Sequence, residues 1–421
     1  MLKKSFQLLL TFFVLGWHVA FPNNKVISDT TKRFQLGFVL PEGAHKLTVP
    51  FELNNNLIVI GVLLNNALPL KFILDTGVRT TVLTEKTFTD LLNLTYSRKI
   101  TIPGVGGEKL ITAYVTNNVT LQIQGMIGHG HALIVLEHDL LQLKNYLGTD
   151  VHGILGYELF SRFVVEINYD SKVVTFYDPD FYKKRKRYEE LELTIEDTKP
   201  YILANFSLKD SSVHTGKFLL DTGASHSFLI DKYSDTTYYV PQPSLYSHLG
   251  RGLAGDMYGE ISRVDKLSIG SYFFNDVIAT FPDTTTYSIG VGMTPRNGTI
   301  GGGLMSRYKI TFDFVHEKLY LKKGRSYTKP FEYNLSGVVI KATGLQLRNY
   351  EITEIRNDCS AKLAGVQVGD KIISINRQLT KSLTLDEVLG LLNTKANKSI
   401  RLLVLRNGVK EKYQFKLERK V

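Results

Sequence analysis

The residues best placed to do chemistry in this 421-residue chain are two aspartates in nearly identical settings, Asp75 in KFILDTG (71–77) and Asp221 in KFLLDTG (217–223). In each copy three apolar residues, Phe72-Ile73-Leu74 and Phe218-Leu219-Leu220, read as a buried strand that delivers a carboxylate into a Gly-containing turn. A charge at the end of a buried strand is costly unless it is hydrogen-bonded, paired or protonated. Two such carboxylates at contact distance cannot both ionise; they share one proton and supply one acid and one base. At average residue usage a given tripeptide turns up roughly 0.1 times in a chain of this length, so two copies in matched context are not casual.

The match extends past the tripeptide. HGILGYELFSRFVVEINYDSKVVTFY (152–177) aligns with NGTIGGGLMSRYKITFDFVHEKLYLK (297–322), keeping Gly153/Gly298, Gly156/Gly301, Leu159/Leu304, Ser161/Ser306 and Arg162/Arg307. Between these blocks PGVGGEK (103–109) aligns with RGLAGDM (251–257). Three blocks recur in one order, which makes this an internal repeat of a whole domain.

On these motifs the chain resembles an aspartic protease of the retroviral-protease and pepsin kind, with both lobes in one polypeptide. The family pattern is an apolar run, Asp-Thr-Gly, a Gly-rich flap hairpin, then two apolar residues and a Gly. Here that reads Asp75-Thr76-Gly77, the loop Gly104 to Gly107 and Ile154-Leu155-Gly156, then Asp221-Thr222-Gly223, the loop Gly250 to Gly255 and Thr299-Ile300-Gly301. The resemblance covers roughly residues 45 to 325. It implies Asp75 and Asp221 as the catalytic pair, supported by Thr76, Gly77, Thr222, Gly223 and Ser225. It also implies flaps, Gly104, Val105, Gly106 and Gly107 in one lobe and Gly252, Leu253, Ala254 and Gly255 in the other. Glycines there let a hairpin tip adopt positive φ and bring bare backbone to an extended peptide, which pairs by main-chain hydrogen bonds.

Two positions depart from the pattern. The family places a hydroxyl two positions after the Gly; Ser225 obeys, but the first lobe has Arg79. Thr299 stands where an apolar residue is usual. A guanidinium within about 6 Å of the two carboxylates favours their ionised forms and lowers both apparent pKa values. So long a side chain can equally point to solvent or pair with a carboxylate such as Glu85.

The elements that must position these residues are mostly strands. Stretches such as LIVIGVLLNN and VVTFYDPD alternate apolar and polar residues between Gly, Asn and Asp, the pattern of many short antiparallel strands. Helical patterns are scarce before residue 330, Glu85 to Leu92 being one candidate. The expected fold is therefore mostly β: two pseudo-symmetric pepsin/retropepsin-like β-barrel lobes, residues 45–182 and 193–325, joined by a basic linker, 183–192, that contains KKRKR. No aromatic interleaving or nucleic-acid motif accompanies that run. It reads as a solvated linker, with a surface site for acidic envelope polymers as the sharper alternative.

From Phe331 the grammar changes. LSGVVIKATG, YEITEIRNDCSAKLAGVQVGDKIISINRQ, TLDEVLGLLN and IRLLVLRNGVKEKYQFKLE together resemble an α+β PDZ domain of the bacterial protease type over residues 331–421, most specifically in AGVQVGDKIISIN (364–376). Thr384 and Glu387 form a capping box that opens a helix with Val388, Leu389, Leu391 and Leu392 on its apolar side. The resemblance implies that Leu335-Ser336-Gly337-Val338 is the loop whose amides hold a peptide C-terminus. With a core of its own, the domain is expected to be separable, so that a cut after about residue 328 leaves a folded protease.

The chain opens MLKKSFQLLLTFFVLGWHVA, a basic start and an apolar run that read as a signal peptide over residues 1–20, with an uncleaved N-terminal anchor as the alternative. Residues 21–44 leave room for a pro-segment. No later segment has the 18 or so apolar residues of a membrane span, so no integral membrane domain is expected in the mature form. Cys359 is the only cysteine, and an exported chain without disulfides points to a bacterial periplasmic or secreted enzyme. The net charge is +11, and 22 Tyr with 23 Phe supply apolar surface for real cores, which excludes disorder for most of the length. No metal or cofactor is expected; His129 and His131, the one close pair, read as loop residues. The expected activity is hydrolysis of a peptide or protein substrate by a monomer, with no nucleic acid involved. A peptide-binding protein built from a degenerate protease pair is the alternative.

Overall fold

The computed structural model describes residues 36–102, 104, 110–253, 255–283 and 294–421. The expected signal peptide, most of the candidate pro-segment, and Val105, Gly106, Gly107 and Ala254 lie outside the described residues. The apolar runs before the two Asp-Thr-Gly turns form the strands Leu68–Leu74 and Val213–Asp221, buried at Phe72, Leu74, Phe218 and Leu220. Each is one member of a closed ring of six strands. In the first lobe the ring runs Met126–Leu136, Val82–Leu83, Gly153–Leu155, Leu68–Leu74, Leu57–Leu64 and Ile111–Ile123, and returns to its start. In the second it runs Tyr272–Pro282, Phe228–Ile230, Gly298–Gly301, Val213–Asp221, Lys199–Ser207 and Gly255–Ile269, strand for strand the same order.

Not every pairing is antiparallel. The Asp-bearing strands pair in parallel with the strands of the later Gly motif, Ile73 against Ile154 and Leu219 against Thr299. Alternation of residue types tells which side of a strand is buried and nothing about direction, so the sequence pattern could not show this.

A further six-stranded sheet joins the lobes, in the order Glu189–Glu192, Lys318–Lys323, Tyr308–Asp313, Val164–Asn168, Val173–Tyr177, Lys46–Pro50. The lobes meet where Val165 faces Phe312 and Ile167 faces Ile310. Phe160, Phe312 and Phe314 pack over this seam with ring centroids 5.4–6.3 Å apart. The basic run leads into the outermost strand and is held by Lys184–Glu190 at 2.9 Å and Arg185–Glu166 at 3.3 Å.

His129 and His131 are not loop residues. Both lie on the strand Met126–Leu136, where His131 is buried and pairs with Glu158. Strand alternation continues through the Gly-His repeat, which reads as a turn only when its glycines are taken alone. Among the described residues no group of three or more His, Cys, Asp and Glu is placed to hold a metal ion, and no helix is long and apolar enough to cross a membrane.

The C-terminal domain has its own core, including Ile340, Tyr350, Ile352, Val388, Ile400 and Val404, under a sheet ordered Val338–Thr343, Asn349–Ile355, Lys371–Ile375, Ser399–Arg406, Val409–Lys416. The capping box is present: Glu387 N donates to Thr384 Oγ1 (3.2 Å) and Thr384 N to Glu387 Oε2 (2.7 Å), opening the helix Leu385–Leu392. This domain docks on both lobes. Asn55 N donates to Asp386 Oδ1 (3.2 Å) and Asn145 Nδ2 to the Ala342 carbonyl (2.8 Å) from the first lobe. From the second, the Ser247 hydroxyl bonds Tyr333 (3.2 Å) and His248 lies 3.6 Å from Glu354. The connecting segment is itself clamped. Arg307 donates to the carbonyls of Ser326, Lys329 and Pro330 and lies over the Phe331 ring at 3.5 Å, and Arg263 donates to the Phe331 carbonyl at 2.8 Å.

Candidate active site

The two Asp-Thr-Gly turns meet at the interface of the lobes, tied by four reciprocal hydrogen bonds. The Thr76 hydroxyl donates to the Leu220 carbonyl (2.6 Å) and accepts from Thr222 N (3.0 Å). The Thr222 hydroxyl donates to the Leu74 carbonyl (2.8 Å) and accepts from Thr76 N (3.0 Å). Both threonines are buried, so each hydroxyl closes a donor and an acceptor that water cannot reach. The motif needs a residue that both gives and takes a hydrogen bond in a small volume, and Thr meets that need.

Fixed in this way, the turns aim their carboxylates at each other. Gly77 N donates to Asp75 Oδ1 (2.6 Å) and Gly223 N to Asp221 Oδ1 (2.9 Å). Each glycine also makes room for the opposite carboxylate: a Cβ on Gly223 would collide with that of Asp75, and one on Gly77 would sit 3.2 Å from that of Asp221. The Asp75 and Asp221 carboxyls thus lie together, each against the glycine of the other lobe's turn. Burial, and then the negative charge of Asp221, push the Asp75 carboxyl well above the usual carboxylate range, while the Gly77 amide and the Lys199 ammonium pull it back.

Ser225 sits in the second lobe's turn, where its carbonyl accepts from Asn56 Nδ2 of the first lobe (3.1 Å). Arg79 faces away from the pair: its side chain is 70% exposed and lies 3.6 Å from Asp197, not beside Glu85. The cation that does act on Asp75 is Lys199, at the head of the strand Lys199–Ser207, for which the sequence holds no signal beyond its type.

Sequence reasoning also missed His226, directly after Ser225. Its imidazole lies close enough to Asp221 to feel its charge, and burial pushes it down to about 4. Its Nε2 has no hydrogen-bond partner among the described residues. The first lobe has Thr80 and Ile154 at the matching positions, so the odd Thr299 was half of the available signal.

The second-lobe hairpin pairs Leu245–Gly252 with Gly255–Ile269, bringing Gly252 opposite Gly255 across a tip that contains Leu253. In the first lobe Tyr96–Ile102 pairs with Ile111–Ile123, and Gly104 lies just beyond the first of these. Leu335, Ser336, Gly337 and Val338 form a buried turn at the start of the C-terminal domain's first strand.

Duplicated six-strand rings, a sheet shared between them and two facing aspartates define a two-lobed carboxylate-dyad architecture. The aspartyl protease family model matches residues 60–159 and again 205–303, and a PDZ domain model matches 351–406. The chain thus carries two aspartyl protease segments followed by a PDZ domain. Strands Val338–Thr343 and Val409–Lys416 fall outside the latter match yet complete its sheet. No curated protein matches the chain.

Proposed function

We propose that the protein is an exported aspartic endopeptidase in which the Asp75–Asp221 pair activates water. The observation that carries this reading is the facing pair of carboxylates, each against the glycine of the other lobe's turn and fixed from opposite lobes by the Thr76–Thr222 ties. The pair titrates as a unit holding one proton over its working range. One carboxyl of the pair is then the acid and the other the base. The ionised one draws a proton from the water as the water oxygen bonds the peptide carbonyl carbon. The protonated one hydrogen-bonds the developing oxyanion, and a proton then passes to the leaving amine as the C–N bond breaks. The strand pairs Tyr96–Ile102 with Ile111–Ile123 and Leu245–Gly252 with Gly255–Ile269 act as flaps that pair with an extended substrate.

The test is digestion of a denatured protein at several pH values, with and without a transition-state mimic directed at aspartic proteases. Fragments that vanish with the mimic and with Asp221→Asn support the reading. Intact substrate at every pH favours a peptide-binding protein instead. Export is tested separately, by fractionating cells that express the full chain.

A further inference from the structure

The second-lobe hairpin is supported by a third strand over part of its length only. Tyr272–Pro282 flanks Gly255–Ile269 as far as Gly259, opposite Pro282, and Asp283 N adds one bond to the Tyr258 carbonyl (3.0 Å). Beyond that point Asp256 and Met257 pair only with Leu245–Gly252, so the hairpin ends in a two-stranded arm. A two-stranded ribbon is marginal by itself in water and keeps one position only where something packs on it.

Both ends of this arm are held, by different bodies. At the tip, Leu253 joins the first lobe's apolar cluster of Val82, Ile111 and Leu136, which also takes in Val78, the residue after the Asp75-Thr76-Gly77 turn. At the root, His248 stands opposite Tyr258, where the register shifts by one residue, and such a bulge re-aims the side chains beside it. The His248 side chain is only 9% exposed and lies between two carboxylates, Nε2 3.2 Å from Asp256 Oδ1 and Nδ1 3.6 Å from Glu354 Oε1. These contacts use opposite ring nitrogens, so the imidazole bridges two elements and does not gather ligands around an ion. Asp256 belongs to the arm; Glu354 belongs to the strand Asn349–Ile355 of the C-terminal domain. Arg251 lies 3.8 Å from Asp256, the Tyr258 ring lies 5.3 Å from the imidazole, and the neighbouring Ser247 bonds Tyr333. The first-lobe hairpin is held differently: among the described residues the side-chain bonds of its strands stay within the first lobe.

We infer that the C-terminal domain is a working part of the substrate site: Glu354, acting through His248, is a positioning residue that holds the second-lobe hairpin over the first lobe. The inference rests on reading that hairpin as a flap. From His248 to Gly252 the arm runs roughly 13 Å, at about 3.3 Å per residue, so a swing of about 10° at the root displaces the tip by about 2 Å. That displacement is enough to take Leu253 out of contact with the first lobe. Loss of the tie therefore loosens what covers the substrate and leaves the carboxylates where they are, which weakens binding more than it slows chemistry.

Hydrogen exchange of the 248–257 segment, read on the full chain carrying Asp75→Asn, tests the tie without any need for cleavage. Adding Glu354→Ala is expected to speed exchange there at least fivefold with an unchanged unfolding temperature, since that side chain is 43% exposed. Tyr333→Phe, which removes the bond to Ser247, is expected to speed it about twofold. Glu351→Ala, on the same strand but paired with Lys341 of its own domain, is expected to change nothing. With Asp75 intact and casein as substrate, Glu354→Ala is expected to raise KM at least threefold with kcat within twofold. Unchanged exchange in the Glu354→Ala chain overturns the inference, as does an equal change in the Glu351→Ala chain or an unaltered KM. A hairpin that responds in a chain that cuts no casein leaves the tie standing and fails the protease reading alone.

Discussion

The two lobes agree in everything that touches the carboxylates and differ in what lies behind them. In both, a Gly amide holds the Asp, a Thr hydroxyl crosses to the other lobe, and the Asp strand runs parallel to the later Gly motif. Behind Asp75 the first lobe has Ile154 and an outward Arg79; behind Asp221 the second has His226 and Thr299. The repeated arginines show the same divergence. Arg162 donates to the carbonyls of Leu36 and Phe38, where the chain enters the first lobe, and Arg307 to Ser326, Lys329 and Pro330, where it leaves the second. The centre stays symmetric because the same Asp and Thr side chains bond the same backbone groups in both lobes, whereas the periphery has been put to different uses.

The sharpest way to break this symmetry is at the centre. Asp75→Asn and Asp221→Asn should each lower kcat by about 10³-fold or more, with the double variant no worse than either single one, since the two act as a unit. Substantial activity in one single variant would end the idea of a shared pair.

Thr76→Val and Thr222→Val each leave a buried carbonyl and a buried amide unpaired, and about 2–4 kcal/mol of stability should go with either. Symmetric ties predict matched losses; a twofold disparity in denaturant unfolding would show that one lobe carries the other.

Next in size is the clamp. A chain ending at Thr328 takes the Lys329, Pro330 and Phe331 contacts from Arg307 and the Phe331 carbonyl from Arg263, leaving Arg307 the Ser326 carbonyl and Arg263 its pair with Asp276, at a cost of about 1–3 kcal/mol relative to one ending at Asn334. Equal midpoints for the two truncations in urea would show that the clamp is dispensable.

Smaller, and specific to the first lobe, is the pH dependence of Asp75. Its folded carboxyl is raised, so the folded chain holds a proton that the unfolded chain releases. The associated stability is complete below the unfolded value, near 3.9, and is lost as pH rises toward the folded one. Asp75→Asn should therefore be more stable than its parent at neutral pH, with the gap closing in acid. A gap independent of pH in thermal melts would contradict the raised carboxyl.

Smallest is Arg79→Ser. An ion pair as exposed as Arg79–Asp197 contributes about 0–1 kcal/mol, and neither limb of the pH–rate profile should move. A shift of either limb would place the guanidinium nearer the carboxylates than Asp197 holds it.

Much of this architecture was legible in the chain. The paired KF-apolar-apolar-DTG runs gave the strands, the facing turns and the duplicated barrels, because burial and turn chemistry are local. The helix expected over Glu85 to Leu92 appears as Thr87–Leu91, and Thr384 with Glu387 caps the PDZ helix as their spacing implied. What escaped depends on contacts distant in sequence. Glu189–Glu192 reads as the end of a linker until Lys318–Lys323 is seen to pair with it. Arg79 has a long side chain, and only the fold decides that it reaches Asp197. Asn393 lies 58 positions from the Leu335 amide it occupies, at the far end of a helix, and no periodicity announces that bond.

The sheet shared by the lobes has a consequence for how the activity responds to dilution. Two separate chains that each supplied one aspartate would fall apart at low concentration, and their active fraction would follow a binding isotherm. Here Val164–Asn168 and Tyr308–Asp313 are neighbouring strands of one polypeptide, so each half sees its partner at a fixed effective concentration set by the tether between them. Assembly of the dyad is therefore first order, and turnover per molecule is expected to stay constant as the protein is diluted.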